Sequence, residues 1–327
     1  MREFKLAQPQ TLEQITSMPP DESHLLMAGG TDLLDEIKNE TVNPDVVVDL
    51  KTIPGLAYIK GNSNGVHIGA MTRIKEVATD ITIRSHYPVL HQAALSLATP
   101  QLRNVGTVGG NLCQRPRCWY YRDPNIQCRK KGGSRCYATR GRNRYHAILG
   151  GGICHIVFPS DLAPALISLR ADVTIATADG DKNIPLEEFY TLPRENVRKE
   201  NILKPNEILK EVDIPPAEKG AKSTYLKLKE RGTWDFAVVS AAISGTIAGN
   251  TFSDISIVMG GVAPIPWRLK NAEQALLGKS VTEDLVKRIA TDAFKDARPL
   301  AENAYKQELA ATVVTHAVLS LLQSTKS

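Results

Sequence analysis

The sequence predicts an α+β protein, with an α/β N-terminal part followed, after about residue 216, by a smaller α+β domain of antiparallel strands and helices. Three observations support this. The chain has 327 residues, about twice an ordinary domain. Its first hundred residues repeat a strand, a turn and a helix start, whereas the segment after residue 222 runs through strand patterns first and helical patterns afterwards. With 42% hydrophobic residues, 23% charged residues and a mean hydropathy of -0.20, the composition is that of a soluble globular chain and argues against disorder, a fibre or a membrane protein.

Taken in order, residues 24–28 (HLLMA) predict a short buried strand, Gly29-Gly30 a tight turn, and Thr31 or Asp32 the cap of a helix running to about Asn39. Val46 to Leu50 predicts a second strand. Val66 to Ala70, followed by Thr72 and a short amphipathic helix, restarts the pattern. Pro88 to Ala98 has apolar residues at helical spacing and reads as core. Residues 101–111 are polar and glycine-rich, and predict a loop. Pro159-Ser160-Asp161 precedes an apolar helix that Ser160 or Asp161 caps.

Strands follow at Val173 to Thr177, beyond a turn at Asp179-Gly180 at Glu207 to Ile214, and at Thr224 to Lys229. Residues 216–222 form a polar boundary. The longest stretch without a formal charge, Phe236 to Ser253, is too polar for a spanning helix and reads as two buried strand segments. Helical periodicity closes the chain at Lys270 to Leu277, Thr282 to Asp296 and Ala301 to Gln323. The N-terminal residues have no apolar leader and no twin arginine, so cytoplasmic folding is the default expectation.

Charge and cysteine are concentrated together. Residues 103–144 hold eleven Lys or Arg and one acid, a net +10 against -5 for the remainder. Cys113, Cys118, Cys128 and Cys136 lie inside this segment and Cys154 ten residues beyond it, and the rest of the chain has no cysteine. An odd count and the absence of a secretion signal fit disulfides poorly. The spacing C-x4-C-x9-C-x7-C-x17-C lacks the paired knuckles of a structural zinc site. An iron-sulfur cluster tolerates such spacing, and its negative charge suits a basic shell. A nucleic-acid surface is the alternative for the basic segment, with Trp119, Tyr120, Tyr121, Tyr137 and Tyr145 as stacking faces.

Catalytic motifs are scarce. There is no G-x-G-x-x-G, G-x-S-x-G or H-E-x-x-H. Gly278-Lys279-Ser280 is not a phosphate loop, because Glu273 stands where its first glycine belongs, and it reads as a helix C-terminal turn. His146 and His155 flank the cysteines without ligand spacing and read as hydrogen-bonded structural residues. Two diglycine turns remain, Gly29-Gly30 and Gly109-Gly110, whose backbone N–H groups can grip one pyrophosphate from both sides.

Ala28-Gly-Gly-Thr-Asp-Leu-Leu34, Asn104-Val-Gly-Thr-Val-Gly-Gly-Asn-Leu112, Pro159-Ser-Asp161 and Gly260-Gly-Val-Ala-Pro-Ile-Pro-Trp-Arg268 together resemble the FAD-binding subunit of the molybdenum hydroxylases, the xanthine dehydrogenase and carbon monoxide dehydrogenase group. The resemblance spans essentially the whole chain. It implies a vanillyl-alcohol-oxidase-like FAD fold: an FAD-binding domain over 1–216, in subdomains of about 1–55 and 56–216, and a C-terminal domain over 217–327 with a small antiparallel sheet and helices. The segment 113–158 resembles the insertion that carries a 4Fe-4S cluster in some relatives, more like the bacterial periplasmic aldehyde oxidoreductase than 4-hydroxybenzoyl-CoA reductase.

By the same resemblance Cys118, Cys128, Cys136 and Cys154 are the cluster ligands, and Cys113 is a spare buried thiol. Leu25, Leu26, Met27, Ala28, Gly29, Gly30, Thr31, Asp32 and Leu33 wrap the FAD pyrophosphate, and Thr107, Gly110 and Asn111 complete the second loop. Asp161 bonds a sugar or ribityl hydroxyl, while Leu209 and Lys227 approach the isoalloxazine. No catalytic residue is expected on this chain. The implied function is electron transfer from partner subunits holding 2Fe-2S clusters and a molybdopterin cofactor, in a heterotrimeric aldehyde oxidoreductase, to an external acceptor. No nucleic acid or membrane is involved, and export to the periplasm with a partner is compatible with the missing leader. The competing class is a zinc-stabilised nucleic-acid-binding module.

Overall fold

A computed structural model describes residues 1–323, so residues 324–327 of the expected C-terminal domain lie outside the described part. Twelve strands form three sheets among the described residues. The first, of β1 (Lys5–Ala7), β2 (His24–Met27) and β3 (Val46–Asp49), is parallel in the order β1-β3-β2. The second comprises β4 (Ile59–Asn62), β5 (Gly65–Gly69), β6 (Asp172–Thr177), β7 (Gly180–Pro185) and β8 (Ile208–Ile214). It is antiparallel throughout, in the order β4-β5-β8-β6-β7. The third comprises β9 (Ala221–Leu228), β10 (Val239–Ala248), β11 (Thr251–Gly260) and β12 (Trp267–Arg268), antiparallel in the order β12-β11-β10-β9.

The strand alternation explains the long uncharged run. Side chains of successive strand residues point to opposite faces, and here both faces are covered. Ala241 and Ile243 of β10, with Ile255, Ile257 and Met259 of β11, join the core under the helices Glu283–Asp292 and Tyr305–Gln323. Ala242 and Val258 face the other way, into the core built by the helices Pro88–Ser96 and Leu162–Ser168. A sheet buried on both sides reads as near-continuous hydrophobic sequence. Gly249, at φ +61°, makes the β10–β11 turn. Among the described residues no helix is long and apolar enough to cross a membrane.

One expectation fails. Residues 101–111 are not a plain loop but hold two short helices, Pro100–Arg103 and Val108–Leu112. Thr99 and Thr107 cap them, each hydroxyl accepting a backbone N–H in the first turn, from Leu102 at 3.3 Å and from Gly110 at 3.1 Å. Such turns last only four or five residues, too few for a hydrophobic period to show.

Candidate functional site

A cleft of about 1070 Å³ runs between the first sheet, the second subdomain and the start of the third sheet. Two glycine loops meet at its floor. A Cβ on Gly29 would stand 2.3 Å from the Val105 carbonyl oxygen, and one on Gly109 would stand 2.8 Å from the Ala70 Cβ, so each glycine exists to let backbone approach backbone. Gly30 turns the chain at φ +74°, into the helix Leu33–Lys38. The backbone amides of residues 29–33 have no hydrogen-bond partner among the described residues. A run of free amides at a turn entering a helix is the arrangement that binds phosphate oxygens.

The second loop does not grip in the same way. The amides of its diglycine and of Asn111 are spent on the protein: Gly109 donates to the Ala70 carbonyl at 2.8 Å, Gly110 to the Thr107 hydroxyl, and Asn111 to the Thr107 carbonyl at 2.9 Å. The expected grip from the Gly109-Gly110 N–H groups is therefore not available, and of this loop the Thr107 amide is the one without a partner among the described residues. Thr107, Gly110 and Asn111 all line the cleft. So do Leu25, Leu26, Ala28, Thr31, Leu33 and Leu209. Met27, by contrast, sits behind the turn with its sulfur toward Gly30.

Asp32 lines the cleft but also anchors the basic segment. Its carboxylate pairs with Arg117 at 2.8 Å and Arg122 at 2.7 Å, and accepts from the Arg115 amide. Neither Asp32 nor Asp161 caps its helix through its side chain; Ser160 does so for Leu162–Ser168, accepting from the Ala163 amide at 2.9 Å. Ser160 Oγ in turn donates to Asn111 Oδ1 at 2.5 Å, tying together the two motifs that flank the insertion.

Asp161 and Lys227 act as a unit. Tyr225 and Lys227, on one face of β9, donate to the two oxygens of Asp161 at 2.6 and 2.8 Å, and the ion pair is 3% and 5% exposed. Asp161 lines the cleft with Lys227 behind it, and its remaining lone pairs can accept from a hydroxyl. Burial beside this carboxylate pushes the Tyr225 phenol well above its ordinary value. Arg231 and Asp235 also border the cleft but form no ion pair with each other; Asp235 accepts from the Glu230 and Arg231 amides and Arg231 donates to the Trp234 carbonyl.

Beside the cleft, Cys118, Cys128, Cys136 and Cys154 line one small buried chamber. Tyr121 and Lys130 border both cavities, so the wall between them is a single layer of side chains. Three of the cysteines each stand immediately before a short helical turn: Cys118 before Trp119–Arg122, Cys128 before Arg129–Lys131 and Cys136 before Tyr137–Thr139. This directs amides at sulfur, those of Tyr120 and Tyr121 at Cys118 and that of Ala138 at Cys136, to which the His155 amide, outside these turns, adds a second. The Cys154 thiol points at Cys136 and, with these amides, holds it well below the ordinary thiol range; Cys154 is pushed up accordingly. Burial pushes Cys118 up to about 11.

No three of these sulfurs lie mutually within 4.8 Å, whereas thiolates on one tetrahedral zinc stand about 3.8 Å apart. Four cysteine sulfurs around one chamber match the number of thiolates that hold an iron-sulfur cluster. Cys113 is elsewhere, packed against the apolar core and bordering the cleft, where burial pushes its thiol up to about 12. Five of the eleven cations of the basic segment form ion pairs among the described residues: Arg115 pairs with the buried Glu200 at 2.8 Å, Lys130 with the same carboxylate, Arg117 and Arg122 with Asp32, and Arg144 with Glu230.

Sequence reasoning singled out His146 as a structural residue but missed its contact with a cysteine. Its Nε2 is 3.2 Å from the Cys118 sulfur, its ring borders the chamber, and burial, then the nearby Lys306 ammonium, pushes its pKa down to about 4. The missing signal lay far along the chain. Lys306, fully buried, donates to the carbonyls of Tyr145 at 2.8 Å, His146 at 3.2 Å and Gly261 at 2.8 Å. Asn303 donates to the His146 carbonyl as well.

The profile of the "FAD binding domain in molybdopterin dehydrogenase" family matches residues 2–123 and 138–217, and that of the "CO dehydrogenase flavoprotein C-terminal domain" matches 223–321. The chain is 37% identical over 289 residues to the aldehyde oxidoreductase FAD-binding subunit PaoB of Escherichia coli (strain K12), covering 87% of each. It is 27% identical to the carbon monoxide dehydrogenase medium chain of Hydrogenophaga pseudoflava, over 90% of this chain and 87% of that one. A solved carbon monoxide dehydrogenase from Hydrogenophaga pseudoflava superposes with a TM-score of 0.78 at 25% identity, covering 99% of this chain and 98% of that one. With both halves matched and the glycine loops, Asp161 and the cleft in place, the chain belongs to the FAD-binding subunits of the molybdenum hydroxylase family.

Proposed function

We propose that this chain is the FAD and 4Fe-4S electron-transfer subunit of a heterotrimeric molybdenum-containing aldehyde oxidoreductase. It would take electrons from a 2Fe-2S subunit and a molybdenum cofactor subunit and deliver them to an external acceptor. The observation that carries the reading is that four cysteines line one chamber beside the cleft, with Tyr121 and Lys130 bordering both. The aldehyde assignment rests on the 37% identity to a subunit named for that activity.

FAD and a 4Fe-4S cluster, when bound, supply two-electron and one-electron chemistry respectively. The residues of the chain do the rest. The free amides of residues 29–33 hold phosphate oxygens, while Gly109 and Gly110 of the second loop supply a fitted backbone wall. Asp161 accepts from a sugar or ribityl hydroxyl while Lys227 and Tyr225 fix its orientation. Leu209 presents an apolar surface for the flat ring. Lys130, paired with Glu200 and donating to the Val197 carbonyl at 2.9 Å, keeps the partition between the cavities closed to water and brings positive charge to the cysteines.

The test is anaerobic purification of the chain, with absorption, iron, zinc and flavin measured on one sample. The expected result is a flavin spectrum over a broad shoulder that bleaches on reduction, with about four iron per flavin. A colourless zinc protein would overturn the reading. In the complex, affinity purification of this chain should bring down two further subunits and support aldehyde-dependent acceptor reduction.

A further inference from the structure

Among the polar side chains around the cysteine chamber, His146 is the one whose ring nitrogen approaches a cysteine sulfur within hydrogen-bond distance. His146 Nε2 lies 3.2 Å from Cys118 Sγ, while the opposite ring nitrogen, Nδ1, is buried without any hydrogen-bond partner. This decides where the proton sits. A neutral imidazole has one N–H and one bare nitrogen. A buried N–H left unpaired costs more than a bare lone pair with no donor, and a thiolate can only accept. The proton therefore belongs on Nε2, aimed at sulfur.

The ring is held in that attitude from three sides. Trp119 and Tyr120 pack against it, with ring centroids 5.2 and 6.1 Å away, and Lys306 and Asn303 fix its own carbonyl. Residue 146 itself is 4% exposed, so no water competes for the bond.

We propose that His146 is a positioning residue that donates an N–H···S hydrogen bond to the Cys118 thiolate and thereby raises the reduction potential of the cluster bound there. This rests on the 4Fe-4S reading given above. The physical reason is electrostatic: one-electron reduction adds a negative charge that spreads onto the thiolate sulfurs, so a donor fixed at one sulfur stabilises the reduced state more than the oxidised one. The cluster takes one electron from whichever donor reduces it, and no bond to His146 forms or breaks.

The experiment is a redox titration of the purified chain with dithionite, followed by electron paramagnetic resonance, on wild type, His146→Leu and His146→Gln, with iron and flavin measured on each. Glutamine carries an amide N–H to about the position of Nε2, whereas leucine removes the donor and keeps the bulk. The expected result is a His146→Leu cluster harder to reduce by about tenfold in the equilibrium constant, about 59 mV for a one-electron couple, with His146→Gln restored to near the wild-type value. Loss of iron from the leucine variant alone, with the glutamine variant intact at the wild-type potential, equally supports a required donor. Unchanged potential in the leucine variant, equal shifts in both variants, or loss of iron from both would overturn the proposal. Wild-type protein without iron would instead remove the cluster reading itself, a failure visible before any variant is made.

Discussion

At the scale of single residues, the site depends on atoms that are missing and charges that are matched. Gly29 has no room for a Cβ, because the Val105 carbonyl oxygen would lie 2.3 Å away. Gly29→Ala should therefore push the two loops apart and empty the cleft of flavin, while Gly61→Ala, whose added carbon meets nothing nearer than 4.0 Å, should purify with normal flavin. The flavin-to-protein ratio of the two variants decides it. Asp161→Ala strands the Lys227 ammonium at 3% exposure, and removing one partner of a buried pair costs about 3–5 kcal/mol. Urea denaturation should register that loss, and Asp161→Asn, which keeps an acceptor for Lys227, should be milder. The glycines were legible in the sequence because glycine declares a local backbone demand, and Asp161 through the Pro159-Ser160-Asp161 motif that carries the resemblance. The contact of His146 was not, since its partner Cys118 is 28 residues away and only the closed fold brings them together.

At the scale of elements, the cysteine insertion is a set of single helical turns, three of them begun by a cysteine. Such turns carry no hydrophobic period, so the sequence disclosed the cysteines but not the geometry that directs amides at their sulfurs. The same limit hid the two helices within residues 101–111, which Thr99 and Thr107 cap. If the chamber is what binds iron, Cys113→Ser should keep it, since Cys113 sits in the core beside the cleft, while serine at 118, 128, 136 or 154 should lose it. Iron-to-flavin ratios separate the cases. The insertion is also fastened to the helix Tyr305–Gln323 by Lys306, whose three carbonyl acceptors match the three N–H donors of an ammonium. Lys306→Met leaves those carbonyls without that donor, at about 1–3 kcal/mol for each buried group left unsatisfied. Thermal unfolding should drop by several degrees, and iron should be lost along with stability, because the loosened segment carries His146.

At the scale of the whole molecule, the boundary near residue 216 separates sequence patterns but not a folding unit. β10 and β11 send alternate side chains into two different cores, so Ala242 and Val258 complete the apolar packing of helices that precede the boundary. Tyr225 and Lys227, beyond it, orient Asp161, before it. The insertion is stitched across as well: Ile148 and Phe158 donate to the carbonyls of Val262 and Ala263 at 2.9 and 3.0 Å, and Arg298 donates to that of Ile148 at 2.7 Å. The polar stretch 216–222 reads as a linker because its side chains are exposed or half-buried, yet the strand that continues from it buries Tyr225 in the core of the preceding half. Two consequences follow for experiment. A fragment of residues 1–216 would expose the apolar faces of Pro88–Ser96 and Leu162–Ser168 and leave Asp161 without its donors, so it should aggregate and retain no flavin, although it contains both glycine loops. The full chain should unfold in one calorimetric transition with flavin release at the same temperature; two resolved transitions would mean that the shared sheet does not couple the halves as its packing requires.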